Sequence, residues 1–168
     1  MEQAAYDWSR FCKRISIKAS LKQIYDAWTI PSQLETWFLR KAEFMDDNRE
    51  LIGSNNAIEK GNTYKWLWHG YDDSVFEIGT VLEANGIDRF QFIFGKAGRV
   101  NVNIFAENDE MIVELWQEQI PTDEKNKSRY HVGCIEGWTF YLANLKSVLE
   151  GGLDLRNTNS NICEVVNA

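Results

Sequence analysis

The sequence predicts a single α+β domain in which a curved antiparallel sheet of about six to seven strands wraps around a long C-terminal helix. Short segments of alternating apolar residues follow one another through the middle of the chain, separated by turn signals. Tight turns indicate antiparallel pairing, because parallel strands need long crossovers. Apolar residues spaced three and four apart then define one face of a helix: Ile135, Trp138, Leu142, Leu145 and Leu149. The 168 residues suit one domain, with a core over about 11–156 and a polar tail over 157–168.

The first strand is predicted over residues 11–19, and two short helices follow it. Ser20 is a typical N-cap residue, and Gln23 three positions later completes a capping box. Pro31 ends the first helix and starts the second, which is predicted over residues 32–39, because proline fits the first turn of a helix. The domain therefore begins with a strand and a pair of helices.

The middle of the chain predicts only strands. They are expected over residues 42–46, 63–69, 75–84, 89–94, 99–104 and 111–120. Asn85-Gly86 is a strong hairpin signal, and residues 95–98 and Asn108-Asp109 predict further turns. The final helix is expected over residues 130–150, where Gly151-Gly152 ends it.

Composition and charge exclude several classes of function. The net charge is -7 and the basic residues are scattered, which argues against a nucleic-acid ligand. No apolar run is long enough to span a membrane, and the N-terminus lacks a signal-peptide core, so we expect a cytoplasmic protein. Three widely spaced cysteines, Cys12, Cys134 and Cys163, predict neither a disulfide framework nor a zinc site. No phosphate-binding loop is present, and we expect no cofactor and no metal.

The opening of the chain has a strand ending in Ala, a helix running into Thr-x-Pro, and then Leu-x-x-Trp. These residues are Ala19, Thr29, Pro31, Leu34 and Trp37. A later Gly-x-Val-x-Glu strand contains Gly79, Val81 and Glu83. The closing helix motif contains Gly137, Trp138, Leu142, Leu145 and Lys146. In their order and spacing these motifs resemble those of the SRPBCC superfamily, and more narrowly those of the branch called activator of heat-shock-protein ATPase homologue-like.

The resemblance covers residues 11–156 and implies a START-like, birch-pollen-allergen-like helix-grip fold, often with an apolar cavity between sheet and helix. Members of the superfamily include hydrophobic-ligand carriers, chaperone-ATPase stimulators and a few cyclases or hydrolases. A fold alone does not select among these activities.

Aromatic residues supply the strongest signal for a binding site, since they make up 13% of the chain. Several lie on predicted strands and on the helix expected to face them, where they predict either an apolar pocket or an ordinary packed core. Trp37 on the second short helix could close the mouth of such a pocket, or pack in the core. The candidate ligand-binding residues are Trp37, Trp66, Trp68, Phe92, Phe94, Trp116, Trp138 and Tyr141.

Catalytic candidates are fewer. His69 stands at a predicted strand end near Asp72 and Asp73, where a histidine–carboxylate base or a simple polar turn would fit. His131 is expected to face solvent or make a local hydrogen bond. Cys134, in the first turns of the last helix, predicts a small packing residue or an activated thiolate.

Three functions are therefore open from sequence. The first is a cytosolic carrier of a small apolar molecule. The second is an interaction module that modulates a chaperone ATPase. The third is a cyclase or hydrolase using His69, Glu77, Glu114 or a tyrosine.

Overall fold

The computed structural model describes residues 5–162 and 165–166, so Cys163 lies outside the described residues. Seven antiparallel strands form one sheet in the order β1-β7-β6-β5-β4-β3-β2. They are β1 (Phe11–Ile17), β2 (Lys41–Met45), β3 (Thr63–Leu67), β4 (Phe76–Ala84), β5 (Arg89–Ile93), β6 (Arg99–Glu107) and β7 (Glu110–Glu118). Strands β2 to β7 pair as a meander, and β1 joins the far edge beside β7. The predicted α+β helix-grip class, with about six to seven strands, is confirmed.

Two short helices follow β1, as predicted. Helix α1 (Leu21–Thr29) begins at Ser20, whose hydroxyl and the Gln23 side chain form the predicted capping box. Helix α2 (Pro31–Leu34) is shorter than the expected 32–39, because the chain continues as turns after Leu34. These turns place Trp37 and Phe38 in the core, where each is at most 2% exposed.

The long helix begins earlier than predicted. Asp123 caps a first turn, α3 (Glu124–Asn126), which runs into a π-helical segment (Lys127–Val132) and then into α4 (Gly133–Leu149). The expected start at residue 130 is wrong. The residues that follow the Asp123 cap are polar, so they lack the apolar helical spacing that indicates a helix in the sequence. The helix ends at Leu149 with Glu150 as its C-cap, and Gly151 follows with a positive φ of 81°.

Helix α4 packs on one face of the sheet, which we call the inner face. Alternate residues of β6 and β7 point to this face and are buried, including Val102, Val113 and Leu115. Leu142 and Leu145 of the helix are buried against them. The inner face of the sheet and the apolar face of α4 therefore make one continuous core.

A segment after α4 is anchored to the N-terminal helices. Arg156 donates hydrogen bonds to the backbone oxygens of Leu39 and Glu35, at 3.0 and 2.9 Å, and pairs with Asp154. Asn144 on α4 donates to the oxygen of Trp37 at 2.7 Å. These contacts hold the chain from α4 to Arg156 over the turns that carry Trp37 and Phe38. In the part of the chain that the structure describes, no helix has the length and hydropathy needed to cross a membrane.

Candidate ligand pocket

An apolar pocket of about 180 Å³ lies between the N-terminal half of α4 and the ends of β3 and β5. The helix contributes one wall, and residues just after β3, just after β5 and in the turns after α2 contribute the other. The lining residues are Phe38, Trp68, Phe94, Gly133, Cys134, Gly137, Trp138 and Tyr141. Three successive helical turns therefore face the pocket with two glycines, a thiol and two aromatic rings.

The two glycines leave space in this wall. Gly133 and Gly137 are four residues apart and so lie on the same side of α4. A Cβ atom added at either position would meet no atom within 4 Å. Glycine within a helix costs roughly 1 kcal/mol relative to alanine. Gly137 is half-buried in the pocket wall, where a larger side chain would narrow the pocket, whereas Gly133 is exposed.

Four aromatic rings line the pocket and pack against one another in a cycle: Phe38, Trp68, Phe94 and Trp138. The ring centre of Phe38 lies 5.1 Å from Trp138 and 5.2 Å from Trp68. Phe94 completes the cycle, at 5.6 Å from Trp138 and 6.4 Å from Trp68. Tyr141 packs edge-on against Phe38 at 4.8 Å. Such edge-to-face and offset arrangements are favourable for aromatic pairs and fix the rings around the space.

Two hydrogen-bonding groups of the lining make no hydrogen bond with any described residue. They are the hydroxyl of Tyr141 and the indole N–H of Trp68, whose rings are 6.1 Å apart. Burial raises the pKa of Tyr141 to about 12. The hydroxyl therefore stays protonated at all physiological pH values and can donate a hydrogen bond.

Another polar group of the lining, the indole N–H of Trp138, is hydrogen-bonded to the sheet. Gln117, which is fully buried on the inner face of β7, accepts from Trp138 Nε1 at 2.7 Å and donates to Ala97 O at 2.8 Å. Burial, and to a lesser extent the charge of Glu77, raises the pKa of Cys134 to about 11. Cys134 is therefore a neutral thiol in the pocket wall, and this favours the packing interpretation over an activated thiolate.

The structure brings together only part of the predicted aromatic set. Trp68, Phe94, Trp138 and Tyr141 line the pocket. Trp66 and Phe92 lie on the same inner face but are fully buried behind the lining, within 6.2 Å of Phe94.

Trp37 is also fully buried, and its indole N–H donates to Ala27 O at 2.8 Å. It packs in the core, the alternative that the sequence left open beside a pocket lid.

Trp116 does not share the pocket, and the expectation that it would is wrong. It lies on the outer face of β7, since Leu115 and Gln117 on either side of it point inward and are buried. It pairs with Cys12 across the sheet, and the Arg10 guanidinium lies 6.0 Å from its ring. The alternation of side chains along β7 was visible in the sequence. Because Trp116 is a large apolar ring on the outer face, the sequence did not show which set of alternating residues faces the core.

The predicted catalytic candidates are dispersed. His69 lies in a separate polar cleft with Arg40, Asp72 and Asp73, and burial lowers its pKa. Glu114 is on the outer face, where its carboxylate lies 3.5 Å from Arg14.

Glu77 is the one carboxylate candidate on the inner face, paired in register with Trp66 and close to the Gly95 turn. Burial raises its pKa.

His131 is buried and bonded to residues far away in sequence, which corrects the expectation that it faces solvent or makes a local hydrogen bond. Its Nδ1 lies 2.8 Å from Trp8 O, and its Nε2 lies 2.9 Å from the Tyr6 hydroxyl. The ring also packs edge-on against Phe11 at 5.4 Å. His131 thus holds the N-terminal segment against the π-helical turn. Local sequence patterns could not predict these contacts, because the partners are more than 120 residues away.

Gly133 and Phe38 line the pocket but are not among the candidate ligand-binding residues that the sequence indicated. The available signal was a pair of glycines four residues apart, Gly133 and Gly137, in a segment that otherwise predicts a helix. Within the described ranges 5–162 and 165–166, no group of three His, Cys, Asp or Glu residues could hold a metal ion.

The fold and the pocket define a START-like helix-grip domain of the SRPBCC superfamily. Residues 18–150 match the model of the family described as Activator of Hsp90 ATPase homolog 1-like protein, and the chain belongs to that family. The Gly-Trp pair of its closing motif is Gly137-Trp138, two of the residues that form the pocket wall. Comparison with curated protein sequences found no match.

Solved structures with the same fold come from several bacteria. Protein SSP2350 from Staphylococcus saprophyticus superposes with a TM-score of 0.68 at 16% identity, covering 88% of this chain and 96% of that one. The Aha1 dimer from Colwellia psychrerythraea gives 0.64 at 18% identity, covering 85% and 97%. Protein NE0264 from Nitrosomonas europaea gives 0.64 at 12% identity, covering 87% and 97%. At these identities the similarity establishes the fold alone.

Proposed function

We propose that the protein is a cytosolic carrier that holds a small apolar molecule in the pocket between α4 and the sheet. The observation that carries this proposal is the apolar pocket itself, in which four aromatic rings lie opposite a helix wall that has no side chain at the half-buried Gly137. Apolar lining with a few unpaired polar groups is the usual composition of a small-molecule site. The free thiols of Cys12 and Cys134 suit a reducing compartment.

The proposal is tested by filling the pocket. Gly137→Leu places an isobutyl group in the space that Gly137 leaves, and it is expected to abolish binding of small apolar probes such as toluene. Binding is measured by calorimetry and by the quenching of tryptophan fluorescence, to which Trp68 and Trp138 are positioned to respond.

Ala143→Leu is the matched control, because Ala143 lies on the exposed face of the same helix. This variant should bind as the parent does. Absence of probe binding to the parent protein, or equal binding by the Gly137→Leu variant, would remove the carrier proposal.

Modulation of a chaperone ATPase is the second candidate, and family membership is the observation that favours it. It predicts that the purified protein changes the ATP turnover of an Hsp90-type chaperone and co-purifies with it. The Gly137→Leu variant separates the two functions, since a surface contact should survive when the pocket is filled. An unchanged turnover rate together with no co-purification would exclude this candidate.

A further inference from the structure

We infer that a polar groove on the outer face of the sheet, opposite to α4, binds a neutral carbohydrate the size of a disaccharide. The groove has a volume of about 430 Å³ and crosses strands β4 to β7, with Arg10 beside it at the β1 end. The sheet separates it from the apolar pocket, so this inference goes beyond the proposed carrier function and does not depend on it. Three features support it: a row of amides beside an indole ring, hydrogen-bonding groups without partners, and balanced charge.

Four side chains stand next to one another across the groove. Glu83 on β4, Gln91 on β5, Asn101 on β6 and Trp116 on β7 are successive partners in the strand register. On β5, β6 and β7 the residues to either side of them are buried, so the row itself points outward. Because neighbouring strands lie about 4.8 Å apart, the row extends over roughly 14 Å. This length accommodates two linked sugar rings, whose C–H faces pack on an indole while their hydroxyls bond to amides.

The amides lie at positions where other residues would favour the sheet. Asn is depleted in β-strands, yet β6, which has a strand on each side, carries Asn101 and Asn103 at consecutive outward positions. The first of these is held in place, because Gln91 donates a hydrogen bond to Asn101 and Asn101 donates to Glu118 Oε2 at 3.0 Å. Side chains that are fixed before binding lose less entropy when a ligand arrives. The row is therefore preorganised for a polar ligand.

Several groups of the lining make no side-chain hydrogen bond with any described residue. They are the Asn103 amide, the Trp116 indole N–H, the Arg89 guanidinium and the Glu83 carboxylate. The indole and the guanidinium can only donate, the carboxylate only accepts, and the amide does both. A ligand with hydroxyl groups satisfies all of them, because each hydroxyl is both a donor and an acceptor. A ligand that only accepts, or only donates, leaves part of the groove unsatisfied.

The charge of the lining favours a neutral ligand. Arg10 and Arg89 carry two positive charges, and Glu83 and Glu118 carry two negative ones, so the lining has no net charge. Arg10 and Glu118 already form ion pairs with neighbouring side chains, which leaves one charge of each sign. An anionic ligand would be repelled by the carboxylates and a cationic one by the guanidinium groups. The volume of the groove also lies in the range of roughly 300–1,000 Å³ that is usual for small-molecule sites.

The test titrates the ¹⁵N-labelled full chain with four neutral disaccharides, maltose, cellobiose, lactose and N,N′-diacetylchitobiose, up to about 20 mM. At least one of them should bind with a Kd in the low millimolar range or tighter. It should shift the indole N–H resonance of Trp116, which the spectrum of a Trp116→Phe variant identifies. Digalacturonate, an anionic disaccharide, and adenosine, whose planar base stacks on aromatic rings, should both bind more weakly than the best neutral disaccharide.

Asn103→Val is the decisive variant, because the Asn103 amide bonds no described residue and valine is favoured in strands. The variant should be at least as stable as the parent to thermal unfolding. It should bind the best disaccharide roughly 3- to 10-fold more weakly, the range expected for the loss of one or two neutral hydrogen bonds. Thr63→Val, on the outer face of β3 and outside the groove, is the matched control and should bind as the parent does.

Failure of all four disaccharides to bind, tighter binding of digalacturonate or adenosine, or parental affinity in Asn103→Val would each overturn the inference. None of these results bears on the binding of apolar probes in the pocket, because the two sites lie on opposite faces of the sheet.

Discussion

The indole N–H of Trp138 donates a hydrogen bond of 2.7 Å to the side-chain oxygen of Gln117, which joins the N-terminal half of α4 to the inner face of β7. Gln117 is fully buried, and its amide nitrogen donates in turn to Ala97 O in the turn after β5. One polar side chain therefore fixes the orientation of a pocket ring relative to the sheet. Buried polar groups of this kind stabilise a structure only while every partner is satisfied.

Gln117→Leu should destabilise the protein by about 1–3 kcal/mol, because it leaves the Trp138 N–H and the Ala97 oxygen buried without partners. The change in free energy of unfolding is measured by urea denaturation. Gln33→Leu, at an exposed position of α2, is the control and should stay within about 0.5 kcal/mol of the parent. A Gln117→Leu variant as stable as the parent would show that these hydrogen bonds contribute little.

Glycines at two positions should respond to alanine in opposite directions. At Gly79 an added Cβ would lie 2.1 Å from Ile93 O and 2.4 Å from the Tyr64 hydroxyl. Gly79→Ala should therefore cost roughly 3 kcal/mol or more, because β4 must move away from Tyr64. At Gly137 an added Cβ meets nothing, and Gly137→Ala should gain up to about 1 kcal/mol from helix propensity.

Thermal and urea unfolding of both variants measure whether Gly79→Ala lowers the free energy of unfolding and Gly137→Ala raises it. A stabilised Gly79→Ala, or a strongly destabilised Gly137→Ala, would contradict the packing described around them.

Glu77 should make stability depend on pH. Burial raises its pKa in the folded protein above the ordinary value of 4.5. The neutral carboxyl is then favoured by folding, so its contribution is complete below pH 4.5 and is lost as the pH rises through the folded-state pKa. Glu77→Gln should therefore be close to the parent at pH 4 and more stable than the parent at pH 7.5. Urea denaturation at the two pH values measures this, and a gain confined to pH 4 would refute it.

Cys134 should react slowly with thiol reagents. Burial raises its pKa from 9.0 to about 11, which lowers the thiolate fraction at pH 8 by about 100-fold. In a Cys12→Ser/Cys163→Ser background, the rate of modification by a disulfide reagent should be at least that much slower in the folded protein than in urea. A folded-state rate equal to the rate in urea would contradict the buried position.

Local sequence patterns determined the order of elements well and their ends poorly. The capping box at Ser20 and the hairpin at Asn85-Gly86 act within a few residues, and both appear where predicted. The start of the long helix was missed, because Asp123 caps a polar first turn and the π-helical segment after it has no apolar repeat of its own. Burial of His131 was missed as well, since its partners Tyr6 and Trp8 are more than 120 residues away.

The sequence by itself determined the sheet, the helix that covers it and the family, because alternation, capping and helical spacing are properties of neighbouring residues. Only the tertiary structure decided which rings enclose a space. Trp66, Trp68 and Trp116 are the same residue type on predicted strands. Trp66 is buried behind the pocket, Trp68 lines it, and Trp116 lies on the opposite face of the sheet. Two features decide where each ring lies: which face of the sheet its side chain points to, and how far α4 lies from the sheet at that point. Both depend on packing among residues far apart in the chain.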